Sequence, residues 1–200
     1  MIRISVVVIG ASLLAGCIYS EDVGTIHYDP SPSASRVEGA RAVKLAIVDG
    51  RMIDRNRIST KVDGTGSNFA AIRSATDVRD VVHDALAAEL ELRGFRVGST
   101  DRVMTATIQR FYTDYDRAIV GYTATGDVEL DVTVSQPSGA APFTRSYKGA
   151  SESAIFRPNG SNAADSVASA LRDAIDKMFA DPEFRQALTG SDRRVGQRAE

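Results

Sequence analysis

The sequence predicts an α+β fold with two layers: a mainly antiparallel sheet carries two helices on one face, in the order β-α-β-β-β-α. Three observations predict it. Two segments place apolar residues at the spacing of an amphipathic helix, and several others alternate apolar and polar residues as half-buried strands do. The strand with the clearest alternation has one apolar side only, which is typical of a sheet covered on one face. Both helices therefore find their partner surface on that face.

The first strand is predicted at residues 42–48. Its apolar side chains share one face: Val43, Leu45 and Ile47. The polar stretch at residues 49–73 is long for a loop without structure, so we expect residues 58–62 to add a short strand. Within it, residues 64–66 read Gly-Thr-Gly but lack the third glycine of a dinucleotide-binding motif, and they predict a loop.

The first helix is predicted after residues 74–77, which have the pattern of a capping box. Apolar residues then recur every four positions: Val78, Val82, Leu86 and Leu90. Gly94 is a typical helix stop.

Three long strands follow this helix. Residues 104–108 alternate, but Phe111 falls on the opposite phase, which predicts a β-bulge near residues 109–110. Residues 127–134 have the clearest alternation in the chain, and residues 143–156 form the third strand.

The second helix is predicted to be capped by Ser161 or Asn162. Its apolar stripe comprises Val167, Leu171, Ile175, Met178 and Phe179. A short helix then runs to Leu188. We expect residues 42–189 to form a single α+β domain and residues 190–200 to form a charged, disordered tail.

A Leu-Ala-Gly-Cys motif ending at Cys17 resembles a bacterial lipobox, in which a signal peptidase cuts before the cysteine and the thiol carries a diacylglycerol. Arg3 precedes an apolar stretch at residues 4–14, as in a secretory signal. That stretch is too short for a membrane span, which needs about 20 apolar residues. We predict a signal peptide at residues 1–16, cleavage after Gly16 and lipidation of Cys17. The alternative is a plain signal peptide with an incidental cysteine.

Residues 17–41 are predicted to be the lipidated N-terminus and a flexible tether, because proline and serine are frequent and apolar periodicity is weak. Such a chain spans roughly 25–30 Å. Ile18 stands where an aspartate retains Gram-negative lipoproteins at the inner membrane. We therefore expect an outer-membrane anchor with the domain facing the periplasm; the alternative is the inner membrane.

Composition and motifs favour a protein that is not an enzyme and holds no cofactor or metal. The formal net charge of −2 gives no reason to expect a nucleic-acid partner. The two histidines, His27 and His83, are far apart in the predicted fold, and no nucleophile or Walker motif occurs. Carboxylates on the polar side of one strand leave open an envelope hydrolase as the alternative: Asp127, Glu129 and Asp131.

Two regions are candidates for binding. Arg51, Arg55 and Arg57 follow the first strand and could grip a carboxylate or phosphate, the alternative being a surface salt-bridge cluster. A hairpin after the second strand has an apolar tip flanked by tyrosines, residue types that are common at interfaces. The hairpin residues are Tyr112, Tyr115, Ala118, Ile119, Val120 and Tyr122. We expect this hairpin to contact another envelope protein or a glycan; the alternative is that these side chains fold back onto the sheet edge.

The lipobox, the Val-x-Leu-x-Ile-Val-Asp-x-Arg pattern at residues 43–51 and the Leu-Arg-Gly-Phe-Arg-Val end of the first helix at residues 92–97 resemble the YajG-type envelope lipoproteins. The resemblance covers residues 43–188 and implies a periplasm-facing lipoprotein without assigned activity. Cys17 is the functional position that it transfers. The function expected is a non-catalytic, lipid-anchored module that binds a partner or supports envelope assembly. An auxiliary lipoprotein of a lipid-transport system is a further alternative, by analogy of fold.

Overall fold

The computed structural model describes residues 20–52, 54–98, 101–139 and 143–190. Over these ranges the chain forms eight strands and three helices, which confirms the α+β class. The predicted signal peptide, the cleavage site at Gly16 and Cys17, and the predicted tail beyond residue 190 lie outside the described residues.

The elements correspond to the predicted order with additions. The strands are β1 (Asp22–Gly24), β2 (Ala42–Asp49), β3 (Arg57–Val62), β4 (Asn68–Ser74), β5 (Arg96–Val97), β6 (Arg102–Arg117), β7 (Tyr122–Ser135) and β8 (Phe143–Ile155). The helices are α1 (Val78–Leu92), α2 (Gly160–Ala180) and α3 (Pro182–Thr189). The predicted β-α-β-β-β-α order is β2-α1-β6-β7-β8-α2, and the short strand expected at residues 58–62 is β3. β1 and β4 are additions that the sequence pattern does not indicate.

All eight strands belong to one mixed sheet built around β6. One edge of β6 pairs antiparallel with β7 over its length, and β7 pairs antiparallel with β8. The other edge pairs parallel with β2 and then, at one residue, with β3. β5 adds parallel to β2, β4 adds antiparallel to β3, and β1 adds parallel to β4. The sheet is therefore antiparallel along β6-β7-β8 and parallel where β2 and β1 join it.

The predicted β-bulge is present in β6. The register between β6 and β7 shifts between Ile108 and Arg110. Before the shift the buried residues are even-numbered, ending at Ile108, and after it they are odd-numbered, starting at Phe111. The extra residue thus keeps the apolar side chains of β6 on the helix-covered face along the whole strand.

Both helices pack on this face and share one core with the sheet. α1 buries the predicted stripe, from Val78 to Leu90. α2 crosses β7 and β8 at two glycines, Gly126 and Gly149, whose lack of a side chain lets the helix backbone approach the sheet. A Cβ on Gly149 would lie 2.0 Å from the carbonyl oxygen of Ala170. The helix–sheet distance is therefore set by these glycines.

We expect Gly149→Ala to lower the free energy of unfolding by about 1–3 kcal/mol, because overpacking forces the backbone of α2 away from β8. Urea denaturation measures the change. Gly64→Ala is the matched control, since nothing lies within 4 Å of its Cβ position and its φ is not positive. Equal stability of the two variants would contradict the close approach of α2.

The helix caps differ in detail from prediction. Asp77, the last residue of the predicted capping box, caps α1 by accepting from the amide of Arg79 at 2.9 Å. α2 begins earlier than predicted: Asn159 is its cap, and Asn162 lies at the third helical position and closes a reciprocal capping box. The prediction of Ser161 or Asn162 as the cap is therefore wrong, because the side chain of Asn162 bonds back to the cap residue.

The flexible tether predicted before residue 42 is wrong for residues 20–41. Residues 22–24 form β1, and Ile26, Tyr28 and Val37 pack against the core. The folded domain thus begins near residue 20.

A buried carboxylate of α1 holds this segment together with Arg172 of α2, which donates to the Asp29 carbonyl at 2.8 Å. Glu89 of α1 is fully buried and accepts two hydrogen bonds of 2.7 Å, from the Tyr28 hydroxyl and from the Ser31 amide. It also pairs with Arg93, whose guanidinium lies 4.0 Å from the ring centre of Phe179 in α2. Burial lowers the pKa of Arg93 from its ordinary value. Tyr28 and Ser31 are therefore attached to α1 by hydrogen bonds to the carboxylate of Glu89, whose charge Arg93 neutralises.

Candidate functional site

Along one edge of β6 the neighbouring strand changes from β2 to β3 between Ile108 and Thr113. β2 ends beside Ile108, where the amide of Gly50 donates to the Ile108 carbonyl at 3.0 Å. β3 takes over at Thr113, whose carbonyl accepts from the Ser59 hydroxyl at 2.6 Å. In the described chain no strand pairs with this edge between the two residues, so the β6 backbone there needs other hydrogen-bond partners.

A buried ion pair fills this gap. The side chains of Asp49 and Arg51 are 0% and 3% exposed, and Asp49 accepts from Nε and Nη2 of Arg51 at 2.9 and 2.8 Å. Arg51 also donates to three backbone carbonyls, those of Arg55, Arg57 and Phe111. Burial raises the pKa of Asp49, but the hydrogen bonds and charge of Arg51 outweigh it and hold the pKa below its ordinary value. The pair therefore completes the sheet where β2 and β3 meet β6.

The three arginines predicted to bind an anion do not converge. The guanidinium of Arg51 is occupied by Asp49 and by backbone carbonyls, so the prediction is wrong for this residue. Arg57 turns along its own strand and donates to the Ser59 carbonyl and the Thr60 hydroxyl. Arg55 is exposed. Anion binding by Arg55 and Arg57 stays a prediction.

A cleft of about 400 Å³ lies beside this ion pair. It is lined by Arg51, Met52, Arg57, Gln109, Arg110, Phe111, Tyr112 and Asp114. Arg110 bridges Asp114 and Asp127 at 2.6 and 2.5 Å. The guanidinium of Arg110 is thus already engaged by two carboxylates.

The carboxylates considered for acid–base work are each paired on the open face of the sheet. Besides the Asp127–Arg110 pair, Glu129 lies 3.1 Å from the amine of Lys148, and Asp131 accepts from Gln109 at 2.7 Å. Such pairing is typical of a solvated sheet face. Among the described residues no group of three or more potential metal ligands occurs. His83 is half-exposed beside Asp84, and His27 is exposed in the segment before β2.

The hairpin between β6 and β7 presents the apolar tip that the sequence indicates. Ile119 is fully exposed and Val120 is 80% exposed. A third exposed apolar side chain, Phe156, was not predicted from the sequence. It is 87% exposed and follows β8, and its Cα would lie 3.3 Å from a Cβ on Gly121. The signal was a large apolar residue where the strand pattern ends. Ile119, Val120 and Phe156 are called the apolar tip below.

The tyrosines of the hairpin fold back onto the domain. Tyr115 is buried, and its hydroxyl donates to Asn162 at 2.7 Å, so the prediction that it contacts a partner is wrong. The hydroxyl of Tyr112 lies 2.5 Å from that of Thr60, and Tyr122 donates to the Asp63 carbonyl at 3.2 Å. These hydrogen bonds support the sheet edge below the tip.

The fold and these surfaces define a two-layer α+β module with a polar, internally paired sheet face and an apolar hairpin end. Over residues 29–189 the chain matches a family described as uncharacterized lipoproteins, and it belongs to that family. Membership implies a lipid anchor and a place in the cell envelope; the family's description names no catalytic activity. Among the described helices none is both long and apolar enough to cross a membrane.

One solved structure is similar to this chain in fold, and two others match it at lower TM-scores. Protein XCC0632 from Xanthomonas campestris is 21% identical with a TM-score of 0.55, and the match covers 85% of this chain and 96% of that one. A minor lipoprotein from Acinetobacter baumannii is 10% identical with a TM-score of 0.39, over 74% and 91% of the chains. Lipoprotein GNA1162 from Neisseria meningitidis is 10% identical with a TM-score of 0.38, over 70% and 98%. The first likeness concerns the fold alone. No curated protein matches the chain.

Proposed function

We propose that this chain is a non-catalytic envelope lipoprotein of the YajG type, anchored by lipid on Cys17 in the outer membrane and facing the periplasm. There it binds a partner or supports envelope assembly. The observation that carries the proposal is the Leu-Ala-Gly-Cys motif at residues 14–17 in a chain that belongs to a lipoprotein family. Ile18, in place of the aspartate that retains lipoproteins at the inner membrane, supports the outer-membrane location.

The structure favours this function over its two alternatives. A hydrolase needs a carboxylate poised to exchange protons with a substrate, whereas Asp49 is buried under Arg51 and Asp131 is bonded to Gln109. A lipid carrier needs an apolar groove between helix and sheet, whereas α2 lies in backbone contact with Gly126 and Gly149. The apolar tip is an exposed surface of the described chain at which contact with another component of the envelope, protein or lipid, can form.

We expect Cys17→Ala to abolish lipidation in a Gram-negative host. Full-length wild-type protein should incorporate labelled palmitate, fractionate with the outer membrane and begin at an acylated Cys17 in intact-mass spectra. The variant should keep its signal peptide and carry no label. Ser12→Ala is the matched control, because it changes the signal segment and leaves the lipobox intact.

The same strains test partner binding. After mild in-cell crosslinking, a partner protein or glycan should co-purify with the wild type and be lost from Cys17→Ala. A wild-type mass without a lipid on Cys17 would refute the anchor. A lipidated protein that captures nothing would refute the partner-binding role.

A further inference from the structure

We propose that the apolar tip docks onto the lipid surface of the membrane that holds Cys17, so that the domain rests on the bilayer through Ile119, Val120 and Phe156. This inference rests on the lipid anchor of the proposed function and adds a second contact with the membrane. The surface that the tip contacts is a phospholipid leaflet. Contact of the tip with a protein partner is the competing outcome.

Strand directions place the start of β1 on the side of the domain nearer the tip. β6 runs toward the tip, and β3, which is parallel to β6, runs the same way. β4 is antiparallel to β3 and runs away from the tip, as does β1, which is parallel to β4. β1 therefore begins on the side of the sheet nearer the tip, level with Thr113.

The strand register and the number of residues between Cys17 and Asp22 together limit how far the lipid anchor can lie from the tip. It places four residues side by side in neighbouring strands: Asp22, Ile72, Ser59 and Thr113. Ile119 lies six residues beyond Thr113, a rise of at most about 20 Å because the extended strand ends at Arg117. Cys17 precedes Asp22 by five residues, which span at most about 18 Å. A leaflet that holds the acyl chains of Cys17 thus cannot lie far beyond the tip.

The chemistry of this end suits a phospholipid surface. Its large apolar side chains are exposed, and insertion into the headgroup–acyl boundary would remove them from water. Arg117 and Arg157 flank the tip and are both exposed, as is Asp116, the neighbour of Arg117 in the chain. Two exposed arginines beside apolar side chains, with one exposed aspartate, favour anionic phospholipid headgroups. Exposed apolar side chains and exposed arginines thus lie together at the end of the domain toward which the start of β1 faces.

A tryptophan at the tip tests the contact, because the chain contains none. Full-length, acylated Ile119→Trp is reconstituted in vesicles of phosphatidylethanolamine and phosphatidylglycerol, with or without phospholipid brominated on its acyl chains. Met52→Trp is the matched control: its side chain is 99% exposed in the loop that follows β2. Both positions are open to solvent, so neither tryptophan disturbs the core.

We expect brominated lipid to lower the emission of the tip tryptophan about twofold and to leave the control unchanged, as for a side chain 5–10 Å inside the leaflet surface. Flotation of the vesicles reports the anchor separately. Protein that floats while the two tryptophans are quenched equally or not at all overturns the docking of the tip and leaves the anchor standing. A crosslink formed in cells between the tip and an envelope protein, together with the absence of quenching in vesicles, overturns the docking and assigns the surface to that protein. Protein that does not float overturns the anchor and the docking together.

Discussion

Glu89→Ala should lower the free energy of unfolding by about 3–5 kcal/mol, because it leaves the charge of Arg93 buried and unpaired. Glu89 is fully buried and is the shared acceptor for the Tyr28 hydroxyl and the Ser31 amide. The variant therefore also removes the attachment of residues 28–31 to α1. Urea denaturation measures the first effect, and hydrogen exchange of the Ser31 amide measures the second.

Two further variants separate charge from hydrogen bonding. Glu89→Gln keeps an oxygen for the Tyr28 hydroxyl and the Ser31 amide but loses the charge opposite Arg93, so it should protect the Ser31 amide better than Glu89→Ala does. Glu91→Ala is the control, since Glu91 is exposed on the same helix. If Glu89→Ala and Glu91→Ala are equally stable, Glu89 does not hold the segment.

The sequence pattern was sufficient for the elements that alternate strongly. β6 and β7 follow from their period of two, and the bulge follows from the change of phase between Ile108 and Phe111. Local periodicity decides such strands because one face is buried along the whole element. α1 and α2 follow for the same reason, since each buries one continuous stripe.

The segment before β2 could not be predicted in this way. β1 has three residues, and it exists because β4 offers a parallel edge some 50 residues away in the chain. Tyr28 and Ser31 are held by one carboxylate of α1, which accepts from a hydroxyl and a backbone amide. Such contacts produce no periodic pattern in the sequence. Proline- and serine-rich composition therefore indicated a tether where long-range contacts produce ordered structure.

The arginine cluster shows the same limit at the candidate site. Charges after a strand suggest a surface loop, and for Arg55 this holds. Arg51 is buried because β2 and β3 share one edge of β6 and leave backbone carbonyls between them without a strand partner. That gap results from the order of the strands in the sheet, which cannot be inferred from a short stretch of sequence.

Asp49→Asn should lower the free energy of unfolding by about 3 kcal/mol at neutral pH, because it leaves the guanidinium of Arg51 buried without its counter-charge. The three carbonyls that Arg51 bonds offset part of the cost. Replacing both partners by apolar residues should not restore stability, since the carbonyl of Phe111 would then lose its donor. In this respect the Asp49–Arg51 pair differs from a buried ion pair whose two members bond only to each other.

The pH dependence of the same variant distinguishes an ion pair from a packing effect. The pKa of Asp49 is lower in the folded than in the unfolded chain, so the folded state binds fewer protons in acid. The contribution of the Asp49 charge to the free energy of unfolding is complete above the ordinary pKa of 3.8. It is lost as the pH falls through the lower pKa of the folded state. Unfolding free energies of wild type and Asp49→Asn should therefore converge below about pH 4. Asp165→Asn, an exposed carboxylate on α2, is the control and should show no such convergence. A constant difference between wild type and Asp49→Asn across this range would show that Asp49 stabilises the fold by packing and not by charge.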